Sequence, residues 1–189
     1  MRIISGLLKK QRFNPPKGFP SRPTTDFAKE GLFNILDNEI SMFDMDILDL
    51  CAGTGNISFE FASREAGKIT SVDKNFKCVK FMKDFSKKHG ISESMNVLKA
   101  DVFKFIKNSH QSYDLIFADP PFEDKLHVDL IKAVMEGDLL KEDGIFILEH
   151  SKHNKFEDQI GFEHSRRYGH VVFSFFKHPK IESNLKVVK

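Results

Sequence analysis

From residue 45 to residue 149 the chain repeats one unit, an apolar run of strand length followed by a stretch with helical spacing. The runs fall at 45–50, 69–72, 95–98, 113–118 and 144–149, and the clearest helical stretch is 75–89, where Cys78, Phe81, Met82 and Phe85 line one face. Strands that are apolar throughout need cover on both faces, and the crossover helices of a parallel sheet supply it. The spacing therefore predicts an α/β fold, Rossmann-like and doubly wound. After Glu149, runs at 162–168 and 171–177 are separated only by Gly169 and His170, a hairpin signal that predicts an antiparallel end to the sheet. Upstream, residues 2–13 read as a small hairpin and 14–23 as a Pro/Gly-rich loop. A helix capped by Thr25 or Asp26 follows, with Ala28, Leu32, Ile35 and Leu36 at helical spacing.

Composition removes several classes. At 189 residues the chain suits one domain with a sizeable core. No apolar run approaches the roughly 20 residues of a membrane span, and the N-terminus lacks a signal-peptide pattern, so a cytoplasmic protein is expected. Cys51 and Cys78 read as free thiols, and no Cys or His stands at metal-ligand spacing, so no metal is expected. The net charge of +2 conceals an asymmetry. Residues 1–25 carry six cations and no acid, residues 164–189 six cations and one acid, and the middle holds 17 cations against 26 acids. Basic ends on an acidic body point to a polyanion as partner. The expected division is thus a basic hairpin and loop at 1–25 ahead of a catalytic domain at 26–189.

Chemistry collects where the apolar runs end. The first leads into Asp49-Leu50-Cys51-Ala52-Gly53-Thr54-Gly55. A Gly-x-Gly turn between strand and helix admits a ligand close to the backbone, with helix N–H groups aimed at it. The second run ends at Asp73, 18 residues after Gly55, where an acid can accept both ribose hydroxyls of a nucleoside. Dinucleotide enzymes share this layout but want a third glycine, where this chain has Ser58. Asp49 instead suits the ammonium of a methionine moiety, directly or through water. The fourth run ends in Asp119-Pro120-Pro121-Phe122. Two prolines fix a turn without N–H donors, leaving an array of acceptors for a donor group such as a base amine. Phe122 can stack on a base taken out of its helix.

Asp-Pro-Pro-Phe resembles the [DN]-P-P-[YFW] signature of amino-methyltransferases. Arg22-Pro23-Thr24-Thr25-Asp26 with Glu30, Leu32, Phe33, Asn34 and Ile35, together with Arg2-Ile3-Ile4-Ser5-Gly6 and Tyr168-Gly169, is similar to the RsmD family of ribosomal RNA guanine-N2 methyltransferases. The resemblance spans nearly the whole chain. It implies the seven-stranded class I fold, S-adenosylmethionine as methyl donor, and a guanine of small-subunit (16S) rRNA as substrate, presented on a ribosomal particle; a monomer is expected. It also gives Asp101, at the end of the third run, the adenine amino group to accept, and the following backbone N–H at Val102 a ring nitrogen; by itself Asp101 reads equally well as a helix cap.

The expected cofactor set is then Asp49, Ala52, Gly53, Gly55, Asp73, Lys74, Asp101 and Val102. The catalytic set is Asp119, Pro120, Pro121 and Phe122, and the RNA contacts are Arg2, Lys9, Lys10, Arg12, Arg22, Thr24 and Thr25. The chain departs from the family pattern at Leu8-Lys9-Lys10-Gln11-Arg12, where Gly-Arg-Lys is usual, and at Phe27, Lys29 and Gly31. Other readings of the same motifs are DNA adenine-N6 methylation, protein glutamine-N5 methylation, and a non-catalytic RNA-binding assembly factor on this fold.

Overall fold

The structure, a computed structural model, describes residues 1–15, 19, 24–121 and 124–178. Among them seven strands form one sheet: β1 (Ile47–Leu50), β2 (Ile69–Asp73), β3 (Met95–Lys99), β4 (Tyr113–Ala118), β5 (Leu140–Ser151), β6 (Phe162–Tyr168) and β7 (Val171–Phe176). Their order is β3-β2-β1-β4-β5-β7-β6, with β1 to β5 parallel and β7 antiparallel to both β5 and β6. The chain winds outward from β1 in one direction and then, from β4, in the other. The carboxyl ends of β1 and β4 therefore meet at a topological switch point, where open α/β sheets bind ligands.

Among the described residues five helices cover the sheet: α1 (Asp26–Glu39), α2 (Asn56–Ser63), α3 (Phe76–Lys88), α4 (Val102–Asn108) and α5 (Asp124–Met135). One apolar layer joins α1, α2 and α3 to the sheet through Leu32, Phe33, Phe59, Met82 and Phe117. The other joins α4 and α5 through Ile106, Leu130, Ile131 and Phe146. Every residue of β1 is buried, as a central strand covered on both faces requires, Asp49 included.

Two features exceed the sequence expectation. β5 begins at Leu140 rather than 144, because Tyr113 pairs with Leu140 across a register irregularity. The polar stretch Lys141-Glu142-Asp143 hid that extension, and Lys141 uses its ammonium to bridge Asp114 (2.8 Å) and Asp46 (3.6 Å). The N-terminal hairpin is reduced to one antiparallel bridge, Arg2 with Arg12, yet it is fastened to the body. Ile3 and Phe13 are buried, and Phe13 meets the rings of Phe59 and Phe85. The Glu60 carboxylate accepts the backbone N–H groups of Ile4 (2.8 Å) and Ser5 (3.0 Å), and the Ser63 carbonyl accepts that of Leu7 (2.7 Å). Gly31, where the family pattern differs, lies under the Tyr168 ring: a Cβ there would stand 2.1 Å from it.

Candidate active site

The turn after β1 is tight. Cys51, Gly53 and Gly55 all adopt positive φ, of 60°, 54° and 74°. Gly55 caps α2 in the left-handed conformation, and a Cβ on it would press within 2.8 Å of Met82 and 2.9 Å of Phe59. The turn is tied to the neighbouring strand by Asp73, whose two carboxylate oxygens accept the N–H groups of Gly53 (2.8 Å) and Asn75 (2.7 Å). A carboxylate has about four lone-pair positions. Asp73 thus braces both loops and keeps acceptor capacity for hydroxyls in the cavity beside it.

That cavity, about 810 Å³, opens at the carboxyl ends of the strands. Its wall includes Asp49, Ala52, Gly53, Asp73, Lys74, Asp101 and Val102 of the expected cofactor set and Asp119, Pro120 and Pro121 of the catalytic set. Asp101 also caps α4, accepting the Lys104 N–H at 3.1 Å, so both of its readings are compatible. Thr24 and Thr25 reach the wall as well, Thr25 while capping α1 through the Ala28 N–H (3.2 Å). Phe122 and Arg22 lie outside the described residues. Lys9, Lys10 and Arg12 are exposed and stand apart from the cavity. Arg2 lies 3.6 Å from Asp26 and 3.9 Å from Glu30.

Three carboxylates crowd the inner end. Asp49 is buried, and the hydroxyl of Ser58 donates to it while sharing a 2.8 Å hydrogen bond with Ser71. The position where a dinucleotide fold wants glycine thus carries a side chain that holds Asp49. Burial pushes the Asp49 carboxyl up to about 7 against the opposing Ser58 bond, with the charges of Asp73 and Glu149 adding to the rise. Asp119, at the end of β4, is raised well above the usual carboxylate range by burial first and then by Glu149 and Asp49. Glu149, at the end of β5, is buried and pushed up to about 7 by desolvation, although it accepts the Thr24 hydroxyl at 2.7 Å.

Sequence reasoning missed Glu149. The signal was present, since the run 144–149 ends in an acid as the runs ending at Asp73 and Asp119 do. It also missed the buried chain behind Thr24. The Asn56 amide donates to the Thr24 carbonyl (3.0 Å), the Lys29 ammonium donates to Asn56 Oδ1 (2.9 Å), and Lys29 sits 3.3 Å from Glu60. Lys29 is fully buried, and desolvation lowers its pKa against the pull of Glu60. Burial raises both Cys51 and Cys78 to about 12, which leaves neither thiol a ready nucleophile. Among the described residues no group of three or more His, Cys, Asp or Glu could hold a metal ion, and no helix is long and apolar enough to cross a membrane.

Strand order, glycine turn, the acids at or next to the ends of β1 and β2, Asp49 and Asp73, and the Asp-Pro-Pro turn at the switch point define a class I methyltransferase fold. The 16S rRNA N2 methyltransferase RsmC of Thermus thermophilus, solved in complex with AdoMet and guanosine, superposes with a TM-score of 0.69 at 16% identity, over 85% of this chain and 45% of that one. More narrowly, the chain belongs to the RsmD family: residues 1–177 match the family described as conserved hypothetical protein 95. It is 32% identical to the ribosomal RNA small subunit methyltransferase D of Buchnera aphidicola over 149 residues, 79% of this chain and 75% of the relative. A hypothetical protein of Thermus thermophilus shares the whole architecture, with a TM-score of 0.81 at 21% identity over 94% of this chain and 99% of that one.

Proposed function

We propose that this protein transfers a methyl group from S-adenosylmethionine to the exocyclic N2 of one guanine in 16S ribosomal RNA, within a small-subunit particle in the cytoplasm. The observation that carries the reading is the meeting of two half-sites in one cavity. A nucleoside cradle formed by Gly53 and Asp73, with Gly55 capping α2 behind it, faces a donor-poor turn at Asp119-Pro120-Pro121. The residues fit the cofactor: Asp73 would hold the ribose hydroxyls, Asp101 and Val102 the adenine, and Asp49 the methionine ammonium. When bound, S-adenosylmethionine supplies an electrophilic methyl group on a sulfonium.

The rest falls to the chain's own residues. The amine of a purine is a poor nucleophile because its lone pair is delocalised into the ring. Hydrogen bonds from its N–H groups to the Asp119 carboxylate and the Pro120 carbonyl favour a pyramidal nitrogen, and holding it in line lowers the barrier. Pro120 and Pro121 offer no competing N–H. The basic hairpin and loop of residues 1–25 would dock the RNA, with Arg2, Lys9, Lys10, Arg12 and Arg22 on phosphates and Thr24 and Thr25 in the cavity wall. The test is mass spectrometry of ribosomal nucleosides from cells lacking the gene. One N2-methylguanosine position in 16S rRNA should disappear and return on complementation. An unchanged N2-methylguanosine map overturns the reading.

A further inference from the structure

We propose that Asp119 and Glu149 together read the donor edge of guanine, Asp119 taking the N2 amine and Glu149 the neighbouring N1–H, so that Glu149 is the residue that selects the base. This inference rests on the proposed guanine methylation and adds to it the origin of specificity. Its geometry comes from the sheet. Ala118 of β4 pairs with Leu148 of β5, so Asp119 and Glu149 follow in register on adjacent strands, roughly 4.8 Å apart in the hydrogen-bonding direction. Both stand in the wall of the cavity. Thr24 occupies one oxygen of Glu149, Oε2; among the described residues no protein donor reaches Oε1.

Burial raises both carboxyls in the free chain, that of Asp119 also through the charge of Glu149, and two N–H donors facing them favour the ionised form, in which the pair is an acceptor-only surface. Guanine alone among the four bases places two adjacent donors, N1–H and N2–H, on its pairing edge. Adenine and cytosine would set a ring-nitrogen lone pair against one of these carboxylates, and uracil would set a carbonyl there beside its single N3–H. A site whose buried polar groups expect a donor rejects an analogue lacking it far more strongly than an apolar pocket rejects a misfit. A nucleobase drawn into such a pocket is read on this edge.

Glu149 is also held in place. The Thr24 hydroxyl fixes Oε2, the Asn56 amide fixes the Thr24 carbonyl, and Lys29, itself buried against Glu60, fixes Asn56. Thr24, Asn56 and Lys29 are in this sense positioning residues for the base reader. No such chain is needed to hold a carboxylate that merely fills space at the end of a strand.

The experiment replaces the mapped target guanosine in reconstituted small-subunit particles with 2-aminopurine. That base keeps the exocyclic amine but presents a bare N1 acceptor. Methyl transfer from labelled S-adenosylmethionine gives kcat/KM for each particle. The parent enzyme should favour guanosine by about a hundredfold or more. In Glu149→Gln the amide can donate to the bare N1, and the preference should fall below about tenfold. Thr24→Val, which leaves Glu149 in place but unfixed, should lower the preference to an intermediate value. Binding of S-adenosylhomocysteine and thermal melting report whether each variant is folded. A parent enzyme that methylates both particles equally overturns the role of Glu149 while leaving the function intact. So does a folded Glu149→Gln that loses both substrates in proportion. If Glu149→Gln does not fold, the parent ratio and the Thr24→Val ratio decide.

Discussion

Asp119 is the residue on which the proposed chemistry turns, and its neighbours set its behaviour. Asp119→Ala should lower kcat by on the order of a hundredfold while leaving S-adenosylmethionine affinity nearly unchanged, because its hydrogen bond to the amine tightens as the nitrogen becomes pyramidal. Asp119→Asn keeps an acceptor oxygen and should retain part of the rate; a parental rate in Asp119→Ala would remove the residue from the mechanism. The raised carboxyls add a pH signature. Asp49 and Glu149, both pushed up to about 7, are protonated in the folded chain over a range where the unfolded chain has already lost those protons. The folded state then binds more protons than the unfolded one, so these two groups make the free protein less stable as pH rises from about 4 to 7. S-adenosylmethionine carries sulfonium and ammonium charges and gains partners as the carboxyls ionise. Its affinity should rise on the order of tenfold from pH 6 to pH 8 by calorimetry, with a shallower rise for S-adenosylhomocysteine, which lacks the sulfonium; a flat profile for both would separate these carboxyls from the cofactor.

At the scale of elements, α2 is the hub. Its Glu60 accepts two backbone N–H groups of the N-terminal hairpin, pairs with buried Lys29 at 3.3 Å, and accepts the Arg64 Nε at 3.0 Å. Glu60→Ala leaves Lys29 buried without its counter-charge, a change that costs about 3–5 kcal/mol in comparable sites. Chemical denaturation should show that loss, and trypsin should cut at Lys9 and Lys10 in the variant faster than in the parent. Equal stability and equal cleavage would mean that the hairpin is held by Ile3 and Phe13 alone. This network also marks the limit of sequence reading. Asp49, Asp73 and Asp119 were legible because each sits in or at the end of a strand-length apolar run whose period needs no partner to interpret. Lys29 was not, since a lysine on a helix reads as solvated until Glu60, 31 residues on, is folded against it. The first four residues of β5 were hidden for the same reason: Lys141 is a strand residue only because Asp46 and Asp114 neutralise it.

For the whole molecule the question is how a largely acidic body meets a polyanion. Lys9, Lys10 and Arg12 are exposed on a hairpin that is rooted in the core, which holds their charges at a fixed place on the surface. If they and Arg22 sit on phosphates, replacing all four with neutral residues should reduce the log–log salt dependence of particle binding by roughly 0.7–0.9 for each phosphate no longer neutralised. Cofactor binding should be untouched, because the central sheet supplies it. A variant that binds and methylates particles with the parental salt slope would remove the docking role.

The hydrogen bond from Thr24 to Glu149 spans 125 positions of the chain. During synthesis, at about 5–20 residues per second, the hairpin, the glycine turn and Asp73 all leave the exit tunnel well before the last parallel strand. A nascent chain can therefore shape the nucleoside cradle early, but its inner wall stays unfinished until β5 is released and slotted beside β4. A protein proposed to modify ribosomal particles thus has a substrate-facing wall that completes only after β5 has been made and released. The growing chain carries no finished base-reading pocket toward the ribosome that is making it.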